Sequence, residues 1–141
     1  MSPETLSLLQ RILDNKGEMM LKKILIIDDN EMTLTLVTRI LELDSHQVVT
    51  ARDATEALTH LKENLPDLVI MDVMMPDMNG YDLCRQIRLE PRLASIPILI
   101  MTAEGSDFDK QKALDSGAND LLTKPFNIDA LRQRIKDLMI V

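Results

Sequence analysis

Short apolar runs alternate with longer amphipathic segments from Lys22 onward, and this alternation constrains the fold more than any other feature of the sequence. The apolar runs are 24–27, 48–49, 68–71, 98–101 and 121–122, and the segments between and after them are 31–43, 54–65, 80–89, 107–116 and 127–139. A continuous apolar run is typical of a strand that is buried on both faces. Five such strands, each followed by a helix, predict an α/β fold with a doubly wound five-stranded parallel sheet.

The predicted helices differ in the apolar surface that they offer to the sheet. The segment 127–139 follows a suitable N-cap, Asn127, and places four apolar residues on one face: Ile128, Leu131, Ile135 and Leu138. The segment 107–116 offers fewer: Phe108, Ala113 and Leu114. Because burial of an apolar face stabilises a surface helix, we expect 107–116 to be the least firmly held of the five.

Residues 1–21 differ from the rest and predict a short N-terminal helical extension in front of a domain that spans 22–141. Ser2 is a suitable N-cap and Pro3 suits the first helical position. Apolar residues then recur at helical spacing: Leu6, Leu9, Ile12 and Leu13. The extension either lies on the domain or frays, or else it is a pairing helix or the tail of an upstream segment.

Composition excludes several classes of function. The net charge of −7 and an aromatic content of 2% argue against direct nucleic-acid binding. A single cysteine, Cys84, excludes an internal disulfide and a cysteine-based zinc site. The longest apolar runs are of about four residues, far too short to span a membrane, and no signal peptide is evident. We therefore expect a cytoplasmic protein.

Polar residues follow four of the apolar runs. Asp28-Asp29 follow the first, Asp72 the third, Thr102 the fourth, and Lys124 comes just after the fifth. Ligands of open parallel sheets bind at the carboxyl ends of the strands, and the strand order 2-1-3-4-5 would place strands one and three side by side, about 4.8 Å apart. The three aspartates would then lie within a few ångströms of one another, with Lys124 reaching back from strand five.

Three neighbouring carboxylates repel one another, and a hard divalent cation relieves that repulsion. Oxygen ligands suit Mg²⁺. With the metal bound, Asp72 could act as a carboxylate nucleophile toward phosphorus, and Thr102 and Lys124 could receive the phosphoryl oxygens. Each residue alone is a weak signal, since an aspartate after a strand is usually a turn or capping residue, but the joint pattern is specific.

Residues 22–141 resemble the receiver domain of two-component response regulators. Four motifs carry the resemblance: the acid pair Asp28-Asp29, the segment 71–80 around Asp72, the pair Thr102-Ala103, and Lys124-Pro125-Phe126. The resemblance implies a flavodoxin-like (βα)5 fold, phosphorylation of Asp72, and Mg²⁺ bound by the three aspartates and the backbone carbonyl of Met74. It also implies a cis Lys124–Pro125 peptide and a small residue, Ala103, after the hydroxyl residue.

The sequence departs from the family at one switch position. Family members usually carry a Tyr or Phe three residues before the lysine, where this chain has Leu121. The resemblance also assigns positioning of the hydrolytic water to the side chains two residues after the phosphorylated aspartate and two after the hydroxyl residue, here Met74 and Glu104. Because a thioether is a weak acceptor, we expect slow to intermediate autodephosphorylation.

The resemblance implies a regulatory phosphoacceptor domain rather than an enzyme. Its partners would be a sensor histidine kinase or a phosphotransfer protein, together with a downstream protein that reads the face of helix four, strand five and helix five. We expect a monomer or a weak homodimer, with Asp120 and Arg134 on a possible dimer face. The chain could be a stand-alone protein or an excised domain.

Two other functions remain open from the sequence. A degenerate receiver would bind partners without being phosphorylated, and Leu121 keeps this alternative in view. A small phosphohydrolase would share the aspartyl phosphate chemistry, but it would need its nucleophile after the first strand in an Asp-x-Asp arrangement and a cap over the site. The adjacent Asp28-Asp29 and the short chain argue against it.

Overall fold

A computed structural model describes residues 2–7, 9, 22–103 and 105–139 of the 141-residue chain. Within residues 22–103 and 105–139 lie five strands: β1 (Lys23–Ile27), β2 (Gln47–Ala51), β3 (Leu68–Asp72), β4 (Ile98–Thr102) and β5 (Asp120–Thr123). The same part of the chain holds five α-helices: α1 (Glu31–Leu43), α2 (Ala54–Glu63), α3 (Gly80–Leu89), α4 (Asp107–Asp115) and α5 (Ile128–Met139). A short 3-10 helix, Pro91–Leu93, precedes β4. The predicted alternation of strands and helices is confirmed.

The five strands form one parallel sheet in the order β2-β1-β3-β4-β5. Ile27 of β1 pairs with Met71 of β3, so Asp28 and Asp72 are the next residues on two adjacent strands. This pairing is the switch point where the strand order reverses, which is the usual ligand position in doubly wound sheets. The predicted fold class and strand order are confirmed.

Helices cover both faces of the sheet, as the continuous apolar runs predict. On one face, α1 and α5 pack against side chains such as Ile26, Ile70 and Met101. On the other, α2, α3 and α4 pack against side chains such as Ile27, Met71 and Ile100. Strands β3 and β4 are buried on both faces, which leaves their ends as the places where polar side chains can gather, whereas the edge strand β2 is largely exposed and Val49 does not reach the core as its apolar run predicts.

Helix α4 buries fewer residues than the other four α-helices in residues 22–103 and 105–139, and Ala113 is its one buried residue. The expectation that Phe108 and Leu114 also face the core is wrong, since they are 74% and 42% exposed. Two polar contacts help to hold the helix instead. Ser106 and Asp109 form a reciprocal capping box, and the Lys112 ammonium lies 5.2 Å from the centre of the Tyr81 ring. Such contacts are weaker than apolar burial.

Two other helices differ from prediction at their ends. Helix α2 stops at Glu63, because Pro66 disfavours a helical conformation at Leu65, whose side chain is exposed. Ile128, at the start of α5, is also exposed, although Asn127 caps the helix as predicted by accepting a hydrogen bond from the Ala130 N–H. Both errors concern an apolar residue at one end of a pattern: Leu65 lies beyond the end of α2, and Ile128 is the first residue of α5.

The N-terminal extension is helical over 3–7 and at residue 9, and Ser2 caps it by accepting a hydrogen bond from the Thr5 N–H at 3.1 Å. The remaining residues of the predicted extension, including Ile12 and Leu13, lie outside the described residues. No helix in the described ranges combines the length and the apolar character that a membrane crossing requires.

Candidate functional site

Three aspartates meet at the carboxyl edge of the sheet. Oxygen atoms of Asp28, Asp29 and Asp72, one from each carboxylate, lie within 4.8 Å of one another. Asp28 is fully buried, Asp72 is 8% exposed and Asp29 is exposed. The predicted convergence of the acid pair and Asp72 is therefore present in the structure.

The buried Asp28 carboxylate is held by the turn that follows β1. One oxygen accepts a hydrogen bond from the Asn30 N–H at 2.9 Å, and the Asn30 side chain in turn caps α1 through the Thr33 N–H. The Asp28 N–H donates to the carbonyl of Ala51 on the neighbouring strand β2. These bonds orient Asp28 while leaving Asp29 open to solvent.

Lys124 reaches back from the end of β5 to the aspartates, as predicted. Its ammonium lies 2.8 Å from an Asp28 oxygen and 3.6 Å from an Asp72 oxygen. The Lys124 N–H donates to the carbonyl of Thr102 at 2.7 Å, and the Lys124–Pro125 peptide is cis, as the family resemblance implies. Lys124 therefore sits beside both buried carboxylates.

The environment of Asp72 raises the pKa of its carboxyl above the usual value. Burial is the main cause, and the neighbouring Asp28 carboxylate adds to it, while Lys124 and the Val73 N–H act in the opposite direction. The Val73 N–H donates to an Asp72 oxygen at 2.9 Å. Asp72 is thus a desolvated carboxylate beside a second carboxylate, an arrangement that is common where a carboxylate has a chemical role.

The remaining predicted site residues surround this cluster at different depths. Thr102 is buried at the end of β4, Ala103 is exposed, and the Met74 side chain is 71% exposed in the loop after Asp72. Leu121 is only 6% exposed and belongs to the same apolar layer as Ala113 of α4. Glu104 lies outside the described residues.

Two residues that shape the loop between β3 and α3, Gly80 and Asp77, are not predicted from the sequence. A Cβ on Gly80 would lie 2.3 Å from the Asp72 carbonyl oxygen, so the close approach of α3 to the end of β3 requires glycine there. Asp77 accepts hydrogen bonds from the start of α2. A glycine at the first position of a predicted helix is a usable signal for the former, whereas a lone loop aspartate offers none for the latter.

A family model of the response regulator receiver domain matches residues 24–136, which include the whole of this cluster. The chain belongs to the response regulator receiver domain family. Receiver domains are regulatory modules of two-component signalling. In this receiver domain the acid pair, Asp72, Thr102 and Lys124 lie at the carboxyl edge of the sheet.

Curated relatives of this receiver domain are longer proteins. It is 40% identical over 118 residues to the alkaline phosphatase synthesis transcriptional regulatory protein PhoP of Bacillus subtilis, covering 84% of this chain and 48% of the relative. It is also 37% identical over 120 residues to the phosphate regulon transcriptional regulatory protein PhoB of Rhizobium meliloti, covering 85% and 53%. The chain thus spans about half the length of these two relatives, whose names as transcriptional regulators describe the longer proteins.

Solved structures agree on the fold. The chemotaxis response regulator CheY4 of Vibrio cholerae superposes with a TM-score of 0.80 at 32% identity, covering 84% of this chain and 98% of that one. A signal receiver domain of a histidine kinase from Syntrophus aciditrophicus gives a TM-score of 0.78 at 36% identity, covering 84% and 89%. Receiver domains similar to this one therefore occur both in response regulators and within a kinase.

Proposed function

We propose that this receiver domain is a phosphoacceptor in which Asp72 takes a phosphoryl group from a phosphohistidine. The observation that carries the proposal is the convergence of the Asp72 carboxylate with a second buried carboxylate, Asp28, and with the Lys124 ammonium at 3.6 Å. An Asp72 oxygen would attack phosphorus, the P–N bond would break, and the leaving imidazole would keep the electron pair and take up a proton. The product is an aspartyl phosphate.

The donor set at this site fits Mg²⁺. Three carboxylates within 4.8 Å of one another are hard oxygen ligands that repel each other without a cation, and Asp29 faces solvent, from which water ligands can come. Asp28, Asp29, Asp72 and the Met74 carbonyl would hold the ion. When bound, Mg²⁺ would neutralise charge on the carboxylates and on the phosphoryl oxygens.

Lys124 and Thr102 would receive the charge that the incoming phosphoryl group brings. The Lys124 ammonium is already beside Asp72, and the buried Thr102 hydroxyl lies at the end of the adjacent strand β4. A cation and a hydroxyl that are positioned before reaction stabilise a loose phosphoryl transition state without reorganising. Met74, with its exposed thioether two residues after Asp72, would shield phosphorus more than it would activate water, giving slow to intermediate autodephosphorylation.

Phosphorylation would reach the surface through α4. This helix buries little apolar surface, and Leu121 already belongs to the apolar layer beneath it. Unlike the Tyr or Phe usual at this position, Leu121 has no ring that could swing inward and no group that could form a hydrogen bond. Movement of Thr102 would therefore pass along residues 103–107 to α4 rather than through Leu121. A partner protein would read the α4, β5 and α5 face.

The proposed partners upstream are a histidine kinase or a phosphotransfer protein, as for response regulators in general. Asp120 and Arg134 form an ion pair within the chain, so dimerisation through these charges would have to compete with that pair. We propose a monomer or a weak homodimer that makes no direct contact with nucleic acid or membrane, and an N-terminal extension over 1–21 in front of the receiver domain over 22–141.

Intact-mass measurement after incubation with acetyl phosphate and Mg²⁺ tests the proposal against its alternatives. A phosphoacceptor gains a single phosphoryl group of limited lifetime and loses the gain when Mg²⁺ is chelated. A phosphohydrolase would consume acetyl phosphate rapidly without an accumulated adduct, and a degenerate receiver would show neither. Either of the last two results overturns the proposal.

A further inference from the structure

The loop from Val73 to Asn79, which follows Asp72, is closed at its base. The Gly80 N–H donates to the Val73 carbonyl at 2.8 Å, and Gly80 lies so close to the Asp72 carbonyl that a side chain could not be accommodated. Asn79 caps α3 through the Tyr81 N–H. Both ends of the loop are therefore fixed to β3 and α3, and Met74 lies just beyond the fixed base.

The far part of this loop is attached to a different element, helix α2. The two Asp77 carboxylate oxygens accept hydrogen bonds from the Ala54 and Thr55 N–H groups, each at 3.0 Å, and the Thr55 hydroxyl adds a third at 2.8 Å. The bond from the Ala54 N–H is the main cause that lowers the pKa of Asp77 below its usual value. Asp77 is therefore ionised at neutral pH and ties the loop to α2.

Helix α2 already has an N-cap of its own. Asp53 accepts a hydrogen bond from the Glu56 N–H at 2.8 Å, so the two aspartates satisfy different N–H groups of the same helical turn. Asp53 precedes the helix in sequence, whereas Asp77 comes from the loop of the proposed phosphorylation site, 23 residues away from Ala54. Of these two aspartates, Asp77 is the one whose hydrogen bonds connect α2 to that loop.

We propose that Asp77 is a positioning residue for the Met74 carbonyl. This inference rests on the proposed function, in which that carbonyl is a metal ligand. The loop is fixed at its base by Gly80 and at its far side by Asp77, and Pro76 stiffens the chain between Met74 and Asp77. Met75 and Met78 of the loop also pack against the core, so releasing Asp77 would loosen the far side of the loop rather than detach it, and the direction of the Met74 carbonyl would be less firmly fixed.

Mg²⁺-dependent phosphorylation by acetyl phosphate separates this role from simple helix capping. In Asp77→Ala we expect the half-saturating Mg²⁺ concentration to rise about tenfold, the lower end of the effect of groups that orient metal ligands, with the rate at saturating Mg²⁺ unchanged. Asp77→Asn keeps one acceptor oxygen and should show a smaller rise. Asp53→Ala is the matched control, because it removes a cap from the same turn of α2 and leaves the Asp77 bonds in place.

Direct titration with Mg²⁺ alone gives a second readout that does not depend on phosphorylation. Wild-type affinity in Asp77→Ala, or an equal loss in Asp53→Ala, overturns the positioning role. If circular dichroism shows Asp77→Ala to be unfolded, Asp77→Asn decides, and wild-type Mg²⁺ affinity in that variant overturns it as well. Absence of any phosphoryl adduct on the wild-type protein would instead refute the proposed function.

Discussion

Polar side chains have different surroundings at the two ends of the strands: the amino edge of the sheet, where the strands begin, and the carboxyl edge, where they end. At the amino edge, polar side chains accept hydrogen bonds from the first residues of strands: Asp67 from the Lys23 N–H at 2.7 Å, and Asn119 from the Ile98 N–H at 2.8 Å. At the carboxyl edge, Asp28 and Asp72 are buried beside one another, with Lys124 next to both. At the amino edge, therefore, the polar groups stabilise the sheet through hydrogen bonds. At the carboxyl edge, two buried carboxylates repel each other beside a single ammonium group.

The difference supports the proposal that the carboxyl edge carries the chemistry. Asn119 also accepts a hydrogen bond from Arg88 at 2.9 Å, so the amino edge is a network of matched donors and acceptors. At the carboxyl edge, burial and the neighbouring Asp28 carboxylate raise the pKa of Asp72 and so disfavour the charge on this side chain. Carboxylates whose charge is disfavoured in this way are common at sites that bind a ligand or carry out a reaction.

Replacing Lys124 should give the largest effect at the carboxyl edge. In Lys124→Met the incoming phosphoryl group loses its positioned cation, and we expect phosphorylation by acetyl phosphate to slow by about 10²-fold, the scale found for single groups that stabilise transition-state charge. The initial rate of adduct formation measures this. A rate within twofold of wild type, in a folded protein, would show that Lys124 only balances charge.

Asp29→Ala tests whether the carboxyl edge is arranged for a cation. Because a direct ligand and a negative charge are both lost, we expect Mg²⁺ affinity to fall about tenfold or more, while the apo protein is as stable as wild type or more stable. Mg²⁺ titration and urea unfolding without metal measure the two effects. Unchanged affinity would contradict the assignment of Asp29 as a ligand.

The site residues that could be predicted have a local sequence signal, whereas the one that could not be predicted depends on a partner far away in the sequence. Asp28, Asp72 and Lys124 could be found from the sequence because each follows an apolar run, and parallel strands bring their carboxyl ends to one edge. Asp77 could not be found, because a loop aspartate looks the same whether it faces water or caps a helix 22 residues away through Thr55.

The error at α4 has a similar origin. Periodicity reports apolar residues but not the polar contacts that can position a helix, so it counts Phe108 toward a core that this side chain does not reach. The capping box of Ser106 and Asp109 and the contact of Lys112 with Tyr81 hold α4 in an orientation that leaves Phe108 exposed. The sequence shows that Leu121 occupies the switch position, but only the structure shows that it belongs to the same apolar cluster as Ala113 of α4.

Arg88→Met tests the amino edge and should change stability alone. The Arg88 guanidinium donates to the carbonyls of Gly117 and Leu93 and to the Asn119 side chain. Because it is partly exposed, we expect the free energy of unfolding to fall by about 1–2 kcal/mol. Mg²⁺ affinity and the phosphorylation rate should stay at wild-type values, and a loss of Mg²⁺ affinity would break the separation between the two edges.

The raised pKa of Asp72 should also make the free energy of unfolding depend on pH, which is the smallest of the effects expected here. Since the folded-state pKa of Asp72 is raised, the folded protein binds this proton more tightly than the unfolded chain, and its contribution to stability falls as pH rises from the unfolded value of about 3.9 through the folded one. The stability of Asp72→Asn relative to wild type should therefore increase from acid to neutral pH in urea unfolding without metal. A constant difference would contradict the raised pKa.

Phosphorylation of Asp72→Asn tests the central claim most directly. The amide has almost the same shape as the carboxylate, so the fold should persist, but it is not a competent nucleophile toward phosphorus. Wild type and variant are incubated with acetyl phosphate and Mg²⁺ and compared by intact mass, with Asp67→Asn as a control at the opposite edge. If Asp72 is the phosphorylated residue, we expect a single phosphoryl adduct on wild type and on Asp67→Asn, and none on Asp72→Asn. An adduct on Asp72→Asn at the wild-type rate would contradict it.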